Sequence, residues 1–521
     1  MVFKVENEMV PVKQIINIGD RVECLGHFGT VKYVGFIEGY PDSWLGIDWD
    51  DQSRGKHNGT VNGVRYFTAS YDTSGSFVRP EKVQLGHSAV KAITSRYGRR
   101  DDALTAKLTE QQLLSMQQTI NAPFVKLVGF EKVTDKQSDF NSLQVVNLRL
   151  QNVCSAGGPN ELKQLCPNVV ELDISKNLLT NWTAVFNVCS QLEHLQWLNV
   201  SENLLQIPDD YEMYHFPNLK VLICGNMQLN WDAVLKLSKV FMNIEELRAP
   251  NNEIKRLDTN QDFTQLKLLD LEGNNIQDWN EVCKLTIINT IEHLNLENIG
   301  INKIKFDGCN IFRNLKKLVI SGNFINNWES IGELNKLPNL EDLRFLKSPI
   351  LETENYATCI QLIVARIGNL KVFNGATIRP DERKGAEYDY IKKYGLEWLS
   401  VKDDPQKKGA FLEVHNRYEE LIEKYGAPEE SELVVQSKLI KVSLIEMELI
   451  FNERSVTKKL PPSILVQKLI MLAQRLFNLS TRPSLIYISG KQSEIEIELN
   501  DEGKELGFYS VQDGDKIIVR C

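Results

Sequence analysis

The chain has 521 residues, a formal net charge of −9 and 42% apolar residues. This suits about three or four globular domains and argues against a general nucleic-acid binder. Nine scattered cysteines without a C-x-x-C spacing fit reduced thiols rather than a disulfide frame; with no signal-type apolar core in Met1 to Val12 and no run near the roughly 18 apolar residues of a membrane span, the expected address is cytoplasmic, without membrane or nucleic-acid partners.

Residues 15–85 are rich in Gly, Val, Tyr and Phe, with turn signals every few residues, which predicts a small all-β barrel. Closely spaced glycines let the backbone turn sharply and let a ligand chain come near. Lys56 and Asn58, on a loop bracketed by Gly55 and Gly59, offer donors suited to a carboxylate. Phe28, Trp44 and Phe67 either floor an apolar groove beside that loop or form the core of the barrel; residue chemistry alone leaves both open.

Gly55-Lys56-His57-Asn58-Gly59-Thr60-Val61, followed by Tyr66-Phe67 and Phe77-Val78-Arg79-Pro80, resembles the CAP-Gly domain. That family binds the acidic-aromatic C-terminal tails of α-tubulin and end-binding proteins. The resemblance implies a tail-binding site of Phe28, Trp44, Lys56, His57, Asn58, Gly59 and Phe67. Lys56 matches the family's loop lysine. His57 stands where Asn is usual and Asn58 where Asp is usual, so either Asn58 supplies the amide one place later or His57 donates instead. The segment is slightly acidic overall, so attraction to an acidic tail must be local.

Between the barrel and the next region, Ser88 to Ile93 and Leu104 to Met116 carry helical periods. The charged run Arg99-Arg100-Asp101-Asp102 between them reads as a solvated hinge. Phe124 to Val133 has strand character and is placed to cap an apolar stack.

Residues 143–350 repeat the phrase apolar-x-x-apolar-x-apolar-x-x-Asn-x-apolar. It is plain at Leu195, Leu198, Val200, Asn203 and Leu205, at Leu266, Leu269, Leu271, Asn274 and Ile276, and at Leu315, Leu318, Ile320, Asn323 and Ile325. Weaker copies start at Leu143, Val169, Leu219, Ile244, Ile291 and Leu340. The period of roughly 22–26 residues is that of leucine-rich repeats. Each unit predicts one short strand with alternate apolar residues pointing inward, and an Asn satisfying backbone groups where the chain turns. Asn177, Asn226, Asn274 and Asn323 are each followed five residues later by a Trp, at 182, 231, 279 and 328. These indoles read as interior packing where the outer segment begins, rather than as a row of contacts.

After Ile350, Tyr356 to Ile367 reads as a helix, Asn369 to Gly375 leading into Arg379–Lys384 resembles the C-terminal cap of cytosolic repeat proteins, and 381–399 reads as a helix with Pro380 near its start. Residues 402–410 read as a linker, with Pro405 and Gly409, and Phe411 to Tyr425 as an amphipathic helix that either binds a partner or packs on a neighbour. The strand-like stretches Lys438–Leu444 and Ser455–Leu460, a helix Ile464–Phe477, and strands at Ser484–Ile488 and Asp513–Arg520 give a β-grasp order. It resembles a ubiquitin-like domain. The chain ends in Cys521 without a Gly-Gly tail, which favours a docking module over a conjugated modifier.

Little else points to chemistry. The seven histidines form no H-E-x-x-H or other ligand spacing, and neither a phosphate-binding G-x-x-x-x-G-K-[ST] loop nor a G-x-S-x-G elbow is present. Gly157-Gly158-Pro159 reads as a turn, and Asp48, Asp50 and Asp51 as a solvated loop. No catalytic residue, metal or cofactor is expected, and the chain is not expected to be an enzyme.

The expected fold is therefore multidomain: a small all-β CAP-Gly barrel (1–90), a helical linker (91–122), an α/β leucine-rich-repeat solenoid with caps (123–400), a linker and helix (401–435) and a β-grasp ubiquitin-like domain (436–521). This order of modules resembles the tubulin-folding cofactor family. The resemblance implies binding to α-tubulin, work on the α/β-tubulin dimer with cofactors B, C and D and an Arf-like GTPase, and docking of the ubiquitin-like domain to another cofactor, to tubulin or to the proteasome. Rival readings are a microtubule-lattice adaptor and a ubiquitin-pathway adaptor.

Overall fold

A computed structural model describes residues 16–98, 139–258, 263–306, 310–428, 433, 444–489, 492–509 and 511–520. The predicted helix Leu104–Met116, the charged run at 99–102 and the predicted strand Phe124–Val133 lie outside these. Two compact units, Met1–Ala427 and Pro428–Cys521, make up the chain.

The first unit begins with a five-stranded antiparallel sheet in the order Gly75–Val78, Ser43–Trp49, His27–Phe36, Arg21–Cys24, Gln84–Leu85. Its core is Val22, Cys24, Val31, Leu45, Ile47 and Trp49. The sheet runs directly into the next part. Strand His87–Ser88 pairs in parallel with Val153–Ser155, and the helix Ala89–Tyr97 that follows buries Ala89, Ala92 and Ile93 in one core with Leu143, Val146 and Val153. A domain boundary at residue 90 would cut this helix after its second residue. The open end of a stacked array exposes apolar surface, and this helix covers part of it.

The repeats form ten parallel strands of two or three residues, from Val145–Asn147 to Val372–Phe373, with Ala376–Thr377 added antiparallel at the end. The middle residue of each strand, such as Leu172, Leu198, Leu247, Leu269 and Leu318, is at most 2% exposed. Asparagine side chains tie the turns together. Asn274 accepts the N–H groups of Asn252 and Ile254 and donates to the carbonyls of Ala249 and Leu271; Asn177, Asn203, Asn252 and Asn323 hold equivalent places. Asn226 does not. It is exposed with φ 55°, and the buried Met227 stands in the ladder position of that coil. A second ladder has Asn168, Asn218, Asn243, Asn314, Asn339 and Asn369 each donating to a carbonyl of the preceding coil.

The four tryptophans each open an outer helix: Trp182–Cys189, Trp231–Val240, Trp279–Lys284 and Trp328–Glu333. Trp182, Trp231 and Trp279 are buried. Trp328 is half-buried beneath the Arg366 guanidinium, 5.2 Å from its ring.

Beyond the last coil, helix Pro380–Val401 starts with Pro380, and Glu382 accepts the Arg379 N–H at 3.0 Å. The predicted linker at 402–410 is mostly helix: Pro405–Val414 begins at a proline, with Asp404 accepting the N–H groups of Gln406 and Lys407. Asp-Pro here is a helix start, not a break. The predicted single helix Phe411–Tyr425 is interrupted at His415–Arg417, and its second half is Tyr418–Tyr425. These helices close over a buried cluster of Tyr390, Trp398, Phe411 and Tyr418.

The second unit is a five-stranded mixed sheet in the order Arg454–Leu460, Ile445–Phe451, Lys516–Arg520, Ser484–Ser489, Gln492–Glu498. Helix Val466–Leu476 packs on it through Val466, Leu469, Ile470 and Ala473. This is the predicted β-grasp arrangement, with two differences. The first strand is Ile445–Phe451, while Lys438–Ser443 lies outside the described residues; and Gln492–Glu498 adds a strand that the sequence reading passed over.

Candidate peptide groove on the amino-terminal barrel

The loop from Gly55 to Gly59 is pinned to the chain around Ser74. The N–H groups of Lys56 and His57 both donate to the Gly75 carbonyl, and the Gly75 N–H donates back to His57. Contact is so close that a Cβ on Gly55 would lie 2.4 Å from the Ser74 carbonyl carbon, and one on Gly59 2.1 Å from the Phe67 carbonyl oxygen. Gly59 also has φ +99°, a region that penalises any side chain. These glycines therefore admit the protein's own backbone, not a ligand's.

Beside the loop lies a cavity of about 680 Å³. Of the residues singled out from sequence, Trp44, Lys56 and His57 line it, whereas Phe28, Asn58, Gly59 and Phe67 do not. Phe28 and Phe67 are buried. Phe67 supports the wall from behind, its ring 5.4 Å from Phe77 and 6.2 Å from His57. The Asn58 carbonyl accepts the Ala69 N–H.

Sequence reasoning missed Tyr40, Arg54, Phe77, Arg79 and Lys82, which also line the cavity. Arg79 was visible as part of a motif, but its role was not: its guanidinium lies 3.9 Å over the Trp44 ring and donates to the Pro41 carbonyl. Tyr40 meets Trp44 edge-on, with ring centroids 6.1 Å apart.

Residues 15–85 hold nine carboxylates and seven Lys or Arg side chains. Four of those seven cations, Arg54, Lys56, Arg79 and Lys82, line the cavity, and none of the nine carboxylates does. Charges in this domain are thus sorted, with cations at the cavity and carboxylates outside its lining. One of them, Asp42, accepts from Arg79 at 3.2 Å from outside the cavity lining, and others are occupied elsewhere. Asp48, expected in a solvated loop, is buried and accepts Ser70 Oγ at 2.7 Å and Ser74 Oγ at 2.6 Å; Asp50 takes both terminal nitrogens of Arg21. Asp51 caps Ser53, whose two hydrogen bonds hold its carboxyl below the usual range.

His57 is half-buried. Burial, and then the Lys56 charge, depress its pKa. Its Nδ1 accepts the Gly59 N–H at 3.0 Å, which leaves the proton of the neutral ring on Nε2. The cavity wall thus offers one imidazole donor, four cations and an apolar surface from Trp44, Tyr40 and Phe77.

A CAP-Gly domain model matches residues 18–83. Over 524 residues the chain is 37% identical to tubulin-specific chaperone E of Bos taurus, covering 96% of this chain and 98% of that protein. The chain belongs to the tubulin-specific chaperone E family. The Drosophila melanogaster member is 34% identical over 522 residues, again 96% and 98% of the two chains. Among solved structures, the C-terminal ubiquitin-like domain of mouse tubulin-specific chaperone E is similar to 15% of this chain and 86% of its own length, at 34% identity and a TM-score of 0.14. The CAP-Gly match places the groove inside a recognised module of a tubulin-specific chaperone E family member.

Proposed function

We propose that this chain is a tubulin-folding cofactor that binds α-tubulin and acts with other cofactors in assembling and dismantling the α/β-tubulin heterodimer. The observation that carries the reading is the groove whose wall holds four cations, an imidazole donor and partly exposed aromatic surface, with no carboxylate of its domain among the lining residues. Such a wall suits a flexible peptide with acidic residues and an aromatic end, the chemistry of the α-tubulin tail. Lys56 supplies a point charge to a carboxylate, His57 Nε2–H a directed donor, and Trp44 with Phe77 a face for an aromatic ring.

The array of parallel strands is, in this proposal, a leucine-rich-repeat solenoid that covers a folded surface of the same subunit. Two moderate contacts held in one body act at high effective concentration. Cofactors B, C and D and an Arf-like GTPase are the proposed co-workers in the cytoplasm, and the carboxy-terminal β-grasp domain is proposed to dock another cofactor, tubulin or the proteasome. Gel filtration of the full chain with purified tubulin dimer tests the reading. Co-elution as a soluble complex, weakened by Lys56→Ala, is expected; separate elution at micromolar concentrations of both proteins would overturn it.

A further inference from the structure

Strands Arg21–Cys24 and His27–Phe36 pair with Cys24 opposite His27, so Leu25 and Gly26 form a two-residue hairpin turn. Both have positive φ, 55° and 82°, which marks the type I′ geometry that Asn-Gly or Asp-Gly normally fills. The other two-residue turn of this barrel obeys the rule: Asn62 and Gly63, with φ 49° and 81°, join Thr60–Val61 to Val64–Arg65. Glu23 Oε1 fixes the tip of the first turn by accepting the Gly26 N–H at 2.5 Å.

Leu25 is therefore a poor choice for the free protein on two counts. Its backbone sits where a Leu side chain is penalised and Asn is tolerated. The residue is 84% exposed, and no other large apolar residue among the described residues is more so. The Glu23 bond fixes the tip of the turn but leaves Leu25 uncovered. What sets it apart is its place, because Leu25 lines the same cavity as Arg54, Lys56 and Trp44. A strained, exposed apolar residue at the rim of a binding groove is accounted for when a ligand covers it.

We infer that Leu25 is a specificity-determining residue of the groove: it closes over an aromatic or large apolar residue of the bound acidic peptide and favours such peptides over purely acidic ones. The inference rests on the peptide-binding reading above. Full-length chain is titrated with two labelled synthetic peptides, one ending Glu-Glu-Tyr and one ending Glu-Glu-Ala, using the natural chain, Leu25→Asn and Lys56→Ala. The expected result is that Leu25→Asn weakens the Tyr-ended peptide about 3- to 10-fold, as loss of one apolar contact does, leaves the Ala-ended peptide unchanged and keeps or raises the melting temperature. Equal affinities of Leu25→Asn and the natural chain for the Tyr-ended peptide would overturn the inference, as would an equal loss for both peptides. The Lys56 variant separates the two readings. If it loses affinity for both peptides while Leu25→Asn changes nothing, the groove stands and the role of Leu25 falls. If neither substitution alters binding, or the natural chain binds neither peptide, the groove reading falls and takes the inference with it.

Discussion

His57 Nδ1 accepts the backbone N–H of Gly59 at 3.0 Å, closing the loop on itself across two residues. Asparagine makes the same bond to its own backbone two residues on, so the two residue types are interchangeable in holding this turn. His57→Asn is expected to change stability by less than about 0.5 kcal/mol. His57→Ala leaves the Gly59 amide without its acceptor and should cost about 1 kcal/mol. Urea unfolding of the two variants, followed by tryptophan fluorescence, checks the difference; equal losses would show that the bond does not hold the loop.

Gly59→Ala tests how tightly the loop is packed. A Cβ there meets the Phe67 carbonyl oxygen at 2.1 Å, and the residue holds φ +99°. The barrel should lose about 2–3 kcal/mol, and groove binding should fall with it. Gly63→Ala, with nothing within 4 Å of its Cβ, carries only the conformational penalty and should lose less. Thermal melts that rank the two the other way would refute the packing account.

The asparagine ladder gives a paired prediction. Asn274→Ala removes four buried hydrogen bonds and leaves backbone groups unmatched, so about 2–4 kcal/mol should be lost. Asn226→Ala, at an exposed position outside the ladder, should fall within about 1 kcal/mol of the natural chain, mostly through the left-handed backbone that Asn tolerates. Chemical denaturation of the full chain distinguishes them.

That pair also shows what the sequence could and could not disclose. The repeat was legible because leucines recur in every coil and their burial is unavoidable. Asn226 deceived because it stands one residue before the ladder position, where Met227 fills the core, and an Asn at positive φ looks the same in one dimension as an Asn in the ladder. The loop glycines and Lys56 were legible as a local motif. Arg54, Arg79 and Lys82 were not, since only the folding of distant segments brings them to one wall. Pro405 and Gly409 suggested a linker because the same residues punctuate loops and open helices; the Asp404 cap decides between them.

His415 provides a pH test. It is 3% exposed, its Nδ1 lies 2.7 Å from Tyr390 Oη, and burial followed by the nearby Arg366 charge pushes its pKa down to about 3. The unfolded chain therefore takes up the proton first. The contribution is fully present above the unfolded value of about 6.5 and is lost as pH falls from there towards about 3. His415→Gln keeps a hydrogen-bonding partner for Tyr390 but cannot titrate, so its stability should fall less steeply over that window. Parallel curves for the two proteins would remove His415 from the account.

Ile93 tests the join between barrel and repeats. It is 1% exposed in the core that includes Leu143 and Val146. Ile93→Ala should destabilise the repeats by about 2–4 kcal/mol, seen as an earlier loss of circular dichroism on heating. An unchanged melt would restore a boundary at residue 90.

Strand His87–Ser88 is hydrogen-bonded to Val153–Ser155, and Gly86 sits so near the Asn152 carbonyl oxygen that a Cβ would come within 2.4 Å. The peptide groove is consequently not carried on a tether; it is bolted to the first coils and aimed in one direction. Under the proposed function, a client gripped there is held at a set span from the array, and the molecule works as a gauge. On that proposal it selects clients by how far a tail's root stands from the surface beside it, in addition to the tail's sequence.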